Sequence, residues 1–447
     1  MTGTREATAA GARGAAWHPA TRIAFRFCVL YFGLFCLLIP YIPAALLGAF
    51  GRWVQGHAGL WTTAMTDPVT GWVGETIFGV DALLHRDSGA GDQTAIWVLV
   101  FCLLIVSAVV TAVWTLVDRR SSYPRLLAWF TLFLRLCLAG QMLSFGLAKL
   151  IPNQMPGPGL AQLLQPYGEF SPMSVLWLQV GSAPAYEMAL GAVEVVAGLL
   201  LFVPRTAILG AIVSLAGTAQ ILLLNMAFDV PEKLLSAHLL MISLVLLAPH
   251  LRRLFDVFVR HRACAPLTSP ALFTDARRNR IATWLQVALA VWVTLSGIQD
   301  NWRVWQDQYG AGSPRSPLYG IWDVRDFRLD GQPVAPLITD ENRWQRVVFD
   351  GPEEATYQRM NGDLVPAHAH FRPDGRLELT TIPSNRHAEP GPPFATVSAE
   401  QPDPDRLILR GTLKDRTVAI TLERVDPNTF TLRSRGFHWV QDYPYLR

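Results

Sequence analysis

Charged residues are scarce in this 447-residue chain. Asp, Glu, Lys and Arg make up 16% of it, whereas soluble domains average about 25%. Apolar residues make up 51%, and the mean hydropathy is +0.25. These values are hard to reconcile with an ordinary soluble protein. The formal net charge of +3 is too small to create a strong field for nucleic acid, so no nucleic-acid partner is expected.

Cysteine is sparse and is not arranged in motifs. The five cysteines are Cys28, Cys36, Cys102, Cys137 and Cys264, and no two form a CxxC pair. A disulfide scaffold, a zinc ribbon and a thioredoxin-type redox site are therefore not expected. The sequence also contains no flavin fingerprint and no haem motif, so neither a resident cofactor nor a metal is predicted.

Long apolar runs are abundant. A helix needs ~20 mostly apolar residues to cross a bilayer. Seven segments are candidates: residues 27–47, 96–116, 126–151, 183–203, 206–228, 233–247 and 281–298. The sixth is the shortest and would have to begin earlier than its apolar run. The first run is longer than the ~7–15-residue core of a cleaved signal peptide, so we interpret it as a span. The lipid bilayer is thus the first predicted partner.

Arginine is concentrated in alternate loops. Arginines occur before the first segment, within residues 118–125, at Arg205 and within residues 252–280. The intervening loops, residues 48–95, 152–182 and 229–232, are poor in Lys and Arg. Because positive loops remain cytoplasmic, the alternation predicts a cytoplasmic N-terminus. It also places the C-terminal domain outside the cell (inner) membrane, in the periplasm or the extracellular space.

These observations predict five regions. They are a disordered cytoplasmic tail (1–22), two helices with an outer loop (23–125), a four-helix core (126–256), a basic loop with the seventh helix and a linker (257–316), and a β-domain (317–447). The outer loops are predicted to contain helices of their own. Residues 48–95 suit amphipathic helices in the membrane interface, and Ser171 with Pro172 begins a helix too short to span.

The C-terminal region has the pattern of a β-barrel. From Leu318 onward, short alternating runs are separated by turn signals about every ten residues, which is typical of a sandwich or barrel. We expect eight or nine antiparallel strands in an up-and-down barrel. One predicted strand is Thr417–Glu423, with Val418, Ile420 and Leu422 on one face, and another contains Phe430 and Leu432.

Two features leave the role of this β-domain open. The residues Gly320–Asp323 (GIWD) resemble the opening of lipocalin-like barrels, which implies either a bound apolar ligand or an interior filled with side chains. Turns are predicted at Asp374-Gly375 and at Asp426–Asn428. A surface metal cluster is a weaker alternative, and its members would be His368, His370, His387 and His438.

Ionisable residues occur inside the middle segments, where they are costly and usually functional. The third segment carries Arg135 and Lys149, and the fourth carries Glu187 and Glu194. Judged by distance from the helix ends, Arg135 and Glu194 both lie near the midplane, whereas Lys149 and Glu187 lie near the outer ends. Two stacked ion pairs, Arg135–Glu194 and Lys149–Glu187, are therefore predicted. Gly191, between the glutamates, would permit close approach.

Near the outer ends of these segments there are more polar residues than a single ion pair would require. The set comprises Lys149, Glu187, Gln220, Asn225, Asp229, Lys233 and His238. It predicts a polar cavity open to the outer side. The alternative is a purely structural role, since buried ion pairs often do no more than hold helices together. Because a histidine titrates near pH ~6.5, His238 would either exchange protons in this cavity or be a hydrogen-bonded core residue.

The stretch from Arg135 to about Leu254 resembles the DoxX family of four-helix membrane proteins. The motifs are RLCLAGQMLSFGLAKL, EVVAGLLLFVPRTAILGA and NMAFDVPEKLLSAHLLM. The whole chain resembles a larger subgroup with added N-terminal helices, a seventh helix and a C-terminal β-rich domain. The resemblance implies links to thiosulfate:quinone oxidoreduction and to membrane redox complexes. Its motif positions here are Arg135, Gly146, Lys149, Glu194 and Gly198.

Three functional hypotheses follow. The first is an anchor, assembly or ligand-binding component that presents an exported barrel. The second is a redox-linked membrane subunit, in which a quinone binds in the outer half and a partner protein supplies the electron-transfer cofactor. The third is a transporter, although the inverted repeats of many secondary transporters are not evident in the sequence.

Overall fold

The computed structural model describes residues 16–264, 270–309, 313–383 and 391–446. They form two compact units. The helical unit comprises Met1–Met155 with Pro184–Trp305, and the barrel unit comprises Pro156–Ala183 with Gln306–Arg447. The predicted assignment of residues 156–183 to the four-helix core was therefore wrong, since this segment folds with the β-domain.

Twelve α-helices occur in the described residues. They are α1 (Pro19–Leu38), α2 (Tyr41–Ala44), α3 (Gly51–Val73), α4 (Thr94–Val117), α5 (Pro124–Leu150), α6 (Pro172–Gly181), α7 (Pro184–Phe202), α8 (Ala207–Ala227), α9 (Lys233–Leu247), α10 (Leu251–Phe258), α11 (Ala276–Val304) and α12 (Thr431–Ser434). All except α6 and α12 belong to the helical unit.

Seven helical stretches of the described chain are long and apolar enough to cross a membrane. They are Pro19–Leu38, Thr94–Val117, Pro124–Leu150, Pro184–Phe202, Ala207–Ala227, Lys233–Phe258 and Ala276–Tyr309. The predicted number of spans is confirmed, but the limits of the first were wrong. It ends at Leu38 rather than residue 47, because Pro40 and Pro43 cannot continue a regular helix.

The predicted helices of the outer loops are also present. Ser171 accepts a hydrogen bond from the backbone N–H of Ser174 at 3.1 Å, and Pro172 occupies the first turn of α6. α3 exposes a row of large apolar side chains that includes Trp61 (74% exposed) and Trp72 (63%). Its location in the membrane interface remains a prediction, but an apolar face of this size needs a cover.

Close contact between α5 and α7 depends on glycine. A Cβ added to Gly191 would lie 2.6 Å from the carbonyl oxygen of Gly146. One added to Gly198 would lie 3.1 Å from the carbonyl oxygen of Ala139. The predicted close approach at Gly191 is therefore confirmed. Small residues let helix backbones touch in lipid, where no hydrophobic force drives them together.

The β-domain is a closed antiparallel barrel. Its strands are β1 (Gly320–Leu329), β2 (Gln332–Pro333), β3 (Trp344–Phe349), β4 (Glu354–Arg359), β5 (Leu364–Phe371), β6 (Arg376–Thr381), β7 (Ala395–Asp403), β8 (Arg406–Leu413) and β9 (Arg416–Val425). Eight strands form the barrel in chain order, and β1 closes it by pairing with β9, where Val324 lies opposite Leu422. The short β2 lies beside β1. The predicted up-and-down barrel is confirmed.

A continuous apolar cluster occupies the interior of the barrel. Val418, Ile420 and Leu422 point into it, as predicted, together with Trp322 and Trp344. The indole N–H of Trp322 donates to the carbonyl oxygen of Leu318 at 2.9 Å. The interior thus resembles a side-chain core, which corresponds to the filled-barrel alternative.

Two local predictions for this domain were wrong, and a third was confirmed. Residues Phe430 and Leu432 do not lie on a strand, because residues 427–434 form a 3₁₀ turn followed by α12. Asp426 caps that turn instead of forming a hairpin. The turn at Asp374-Gly375 does join β5 to β6, with Gly375 at a positive φ of 80°.

The segment 156–183 covers part of the barrel's outer surface. Leu160 is fully buried against Ile321 and Val348, which face outward from β1 and β3. The backbone N–H of Leu160 also donates to Asp350 at 2.8 Å. The loop between α5 and α7 is therefore a structural part of the barrel unit.

His368 and His370 share a face of β5, with ring centroids 6.1 Å apart. No group of three or more His, Cys, Asp or Glu is placed to hold a metal within the described ranges. The predicted member His387 lies outside those ranges, and His438 contacts the backbone of Gly436.

Gly191→Ala should destabilise the protein, because the added methyl group must push the α5 and α7 backbones apart. Overpacking of this kind costs ~1–3 kcal/mol, so the thermal midpoint of the detergent-purified protein should fall. Gly217→Ala on α8 is the matched control, since nothing lies within 4 Å of its Cβ position. Equal midpoints for both variants would contradict the close approach.

Candidate functional site

Lys149, near the end of α5, forms a buried ion pair with Glu194 of α7. Its Nζ lies 2.8 Å from both carboxylate oxygens, and each side chain is only 7% exposed. Glu187 instead accepts a hydrogen bond from the backbone N–H of Met155 at 3.0 Å. The predicted pairs Lys149–Glu187 and Arg135–Glu194 were therefore wrong, although a buried ion pair does join these two helices.

The error came from the assumption that neighbouring helices end at one level. Gly191, the eighth residue of α7, lies against the last turn of α5 at Gly146 and Lys149. The first two turns of α7 therefore extend beyond the end of α5. The chain after α5 turns back beside them, which brings the N–H of Met155 to Glu187. Two helical turns of offset place Glu194, rather than Glu187, beside Lys149.

Arg135 points to α11 rather than to α7. It is 5% exposed, and its guanidinium donates to Oε1 of Gln286. Its Nε has no hydrogen-bond acceptor, and no carboxylate in the described part of the chain forms an ion pair with it. Arg135 is thus a buried cation whose counter-ion does not come from the described residues.

His238 is a hydrogen-bonded core residue. Its Nε2 lies 2.7 Å from the hydroxyl of Tyr31, and its Nδ1 lies 2.7 Å from the carbonyl oxygen of Leu234. The ring of Phe35 stacks on it with centroids 3.8 Å apart. Since a carbonyl only accepts, Nδ1 donates and Nε2 accepts from Tyr31, which fits a neutral imidazole. His238 therefore links α1 to α9 and does not face a cavity with the other predicted residues.

The other residues predicted to line the outer polar cavity lie apart from one another. Asn225 donates to the carbonyl oxygen of Glu232 at 3.1 Å and to Ser236 at 3.2 Å. Lys233 binds Asp229 at 2.8 Å on the surface, and Gln220 is exposed on α8. The predicted convergence of these residues on one pocket was therefore wrong.

A different polar cavity occurs in the helical unit, which we call the acidic cavity. Its volume is about 390 Å³. Its polar lining comprises Tyr41, Gln141, Ser144, Glu232, Asp300 and Asn301. Gln141 and Ser144 belong to the third apolar segment, and the sequence did not predict that they line a cavity. It also missed the two carboxylates, which lie beyond the apolar segments.

A broken stretch of backbone, residues 39–51, forms one wall of the acidic cavity. It contains α2, a 3₁₀ turn and Gly48 at a φ of +57°. Gly140 of α5 lies against Ala45 and Leu46. Because Gly140 precedes the end of α5 by ten residues, this stretch reaches ~15 Å along that helix. The amide of Gln141 donates to the carbonyl oxygen of Tyr41 at 3.2 Å. The same oxygen accepts from the backbone N–H of Ala45, so the Gln141 contact ties this stretch to α5.

Two carboxylates, Glu232 and Asp300, line the acidic cavity, and a third, Asp92, lies near Glu232. Asp92 caps α9 by accepting from the backbone N–H groups of Lys233 and Leu234 at 2.9 and 2.8 Å. Burial, reinforced by nearby Asp92, raises the pKa of Glu232 from 4.5 to about 7. Glu232 can therefore change its charge near neutral pH, which suits a group that exchanges protons or binds cations.

Two cysteines meet in the core of the bundle, although the sequence shows no cysteine motif. Cys36 of α1 and Cys137 of α5 are both buried in one apolar cluster, where their side chains lie next to each other. Cys137 lies one turn before Gln141 of the acidic cavity. The contact could not be predicted from spacing, because 101 positions separate the two residues in the chain.

Taken together, the two units define a multi-pass membrane protein with a C-terminal β-barrel domain. No family model matches the chain, and no solved structure matches it. "Uncharacterized protein YwoB" from Bacillus subtilis (strain 168) is 31% identical over 133 residues, which cover 28% of this chain and 79% of that protein. The chain therefore belongs to the same family as YwoB.

Lys149→Met should destabilise the protein, because it leaves the Glu194 carboxylate buried without a counter-ion. Breaking such a pair typically costs ~3–5 kcal/mol. Adding Glu194→Gln should restore much of the loss, whereas adding Glu187→Gln should not. Thermal unfolding of the four purified proteins tests this pairing. Recovery by Glu187→Gln alone would show that the assigned partner is wrong.

Glu232→Gln should raise the thermal midpoint at about pH 8 and change it little at about pH 5. The folded protein holds the Glu232 proton up to about pH 7, whereas the unfolded chain releases it near 4.5. Wild-type stability therefore falls as pH rises through this window, and a glutamine does not titrate. Glu75→Gln, at an exposed carboxylate that does not line the acidic cavity, is the control. A pH-independent effect of Glu232→Gln would argue against the raised pKa.

Proposed function

We propose that this protein is a ligand-binding component of the cell membrane, related to the DoxX family, that takes a small cation into the acidic cavity. The observation that carries this proposal is the pair of cavity carboxylates, Glu232 and Asp300, beside unwound backbone. The barrel domain then serves as an exported structural module rather than as the binding site, because side chains occupy its interior.

Irregular backbone at membrane depth supports a functional cavity. In lipid, an unwound segment is tolerated only where protein buries it or where it lines a water-filled space. The stretch 39–51 lines the acidic cavity through Tyr41, Ala44, Ala45, Gly48 and Gly51. Discontinuous helices with free carbonyls are used in membrane transporters to bind cations.

The charge balance favours a cationic ligand over a neutral or anionic one. Glu232 and Asp300 line the cavity, and Asp92 lies close enough to act on Glu232. The nearby cation Lys233 is directed to Asp229 at 2.8 Å and to Asp92 at 3.7 Å. A partly desolvated carboxylate attracts a cation more strongly than an exposed one does, because water screens it less.

A redox-linked subunit is the second candidate, and the Cys36–Cys137 contact favours it. Oxidation of the two thiols to a disulfide releases two electrons and two protons, which would reduce one quinone to its quinol. Tyr41 and Gln141 line the neighbouring cavity and offer hydrogen-bonding groups of the kind that quinone oxygens need. A partner protein would have to reduce the disulfide back to the two thiols, with two electrons and two protons, in each turnover.

Cation binding can be measured on the full-length protein in nanodiscs. Choline, Na⁺ and Ca²⁺ are titrated, with dimethylbutanol as the neutral analogue of choline, and binding is followed by calorimetry. Replacing Glu232 with Gln and Asp300 with Asn should weaken binding at least ~10-fold, or about 1.4 kcal/mol. Glu75→Gln, which removes an exposed carboxylate that does not line the cavity, should leave binding unchanged.

Two outcomes would redirect the interpretation. Equal binding of choline and its neutral analogue would reject the cation site. Reduction of decylubiquinone by the dithiol-reduced protein, lost in Cys36→Ser and retained in Cys102→Ser, would favour the redox-linked alternative.

A further inference from the structure

We propose that Arg135 binds the anionic head group of an amphiphile whose acyl chain lies in an adjoining apolar groove between α5 and α11. This inference is independent of the proposed cation site. The acidic cavity begins at Gly140 on α5, and none of its lining residues lines the cavity at Arg135.

Arg135 has no counter-ion among the residues that the structure describes. The side chain is 95% buried, its Nε has no acceptor, and its recorded partner, Gln286, is neutral. A buried charge in a membrane bundle is costly unless it is paired, and such residues usually mark a ligand or ion pathway. By contrast, the buried Arg26 of α1 is satisfied by Tyr123, Thr115 and the carbonyl of Asp118.

The cavity next to Arg135 contains no carboxylate to neutralise it. It has a volume of about 210 Å³, and its polar lining comprises Arg135, Thr131, Asn279, Thr283 and Gln286. The amide of Asn279 is engaged by the backbone of Phe273, and the hydroxyl of Thr283 donates to the carbonyl of Asn279. The guanidinium therefore dominates the charge of this cavity, which suits an anion.

An apolar groove continues from this cavity to the surface of the bundle. The two share Leu132, Leu272 and Gln286. The groove has a volume of about 410 Å³ and is bordered by Trp129 and Leu285, which are 49% and 65% exposed. An opening of this kind on a membrane-spanning bundle faces acyl chains, so a lipid-like molecule can enter sideways.

A buried cation at one end and an apolar groove at the other define the ligand class. A guanidinium binds carboxylate or phosphate through parallel hydrogen bonds, and the groove supplies apolar surface for one chain. Both a long-chain carboxylate and an anionic phospholipid carry this combination of head and chain. A soluble anion would leave the groove empty, and a neutral lipid would leave Arg135 without a partner.

The test uses the full-length protein in nanodiscs of phosphatidylcholine, with oleate as the probe and oleyl alcohol as its uncharged counterpart. Oleate should bind more tightly than oleyl alcohol and should raise the thermal midpoint. Arg135→Gln should weaken oleate binding at least ~10-fold without changing the binding of oleyl alcohol. Arg205→Gln, which removes an exposed charge, is the matched control and should bind oleate like the wild type.

The empty proteins provide a second readout that a structural role for Arg135 would not give. Removal of an unpaired buried charge should keep or raise the thermal midpoint of Arg135→Gln without oleate, and the order should reverse when oleate is present. Leu136→Trp, which fills the groove, should abolish oleate binding while Arg135 remains in place.

Competition distinguishes the two sources of the ligand. Displacement of oleate by phosphatidylglycerol would support the proposal with a membrane lipid as occupant, and lack of displacement would support it with a free long-chain carboxylate. The proposal is overturned if oleate and oleyl alcohol bind equally, or if Arg135→Gln lowers the midpoint of the empty protein and leaves oleate binding unchanged.

Discussion

The glycine contacts between α5 and α7 set the alignment of the two helices that form the buried ion pair. Gly191 lies directly against Gly146, and this contact sets the relative height of the two helices. At that height Lys149 meets Glu194 rather than Glu187. A buried pair of this kind contributes little net stability, but loss of one partner is costly. The main effect of the pair is therefore to specify one alignment of the two helices, and its contribution to the stability of the bundle is small.

Aligned with α7 in this way, α5 contributes polar side chains to two separate cavities. Gln141 lines the acidic cavity, and its amide donates to the backbone carbonyl oxygen of Tyr41. Arg135, almost two turns earlier, reaches a cavity without carboxylates. α11 completes both, since it supplies Gln286 to one and Asn301 to the other. A single helix pair thus separates a site suited to cations from a site suited to anions.

Periodicity predicted the elements of this fold, whereas contacts between distant segments could not be predicted from it. The alternation at Val418, Ile420 and Leu422 was sufficient to predict a barrel strand, because a strand's side chains alternate along the chain itself. The pairing of Lys149 depended on a two-turn offset that no single helix reveals. Pro40, Pro43 and Gly48 were the available signal for the broken segment. The carboxylate Glu232 lies at a helix end, outside every apolar window.

Chain topology shows, independently of hydropathy, that an even number of spans lies between the end of α5 and the barrel. The segment that follows α5 and the domain that follows α11 fold into one compact unit. Both must therefore leave the membrane on the same side, which requires an even number of crossings between them. α7, α8, the continuous stretch of α9 and α10, and α11 supply four. One missed or extra span in this region would place the loop and the barrel on opposite sides, where Leu160 could not be buried against Ile321.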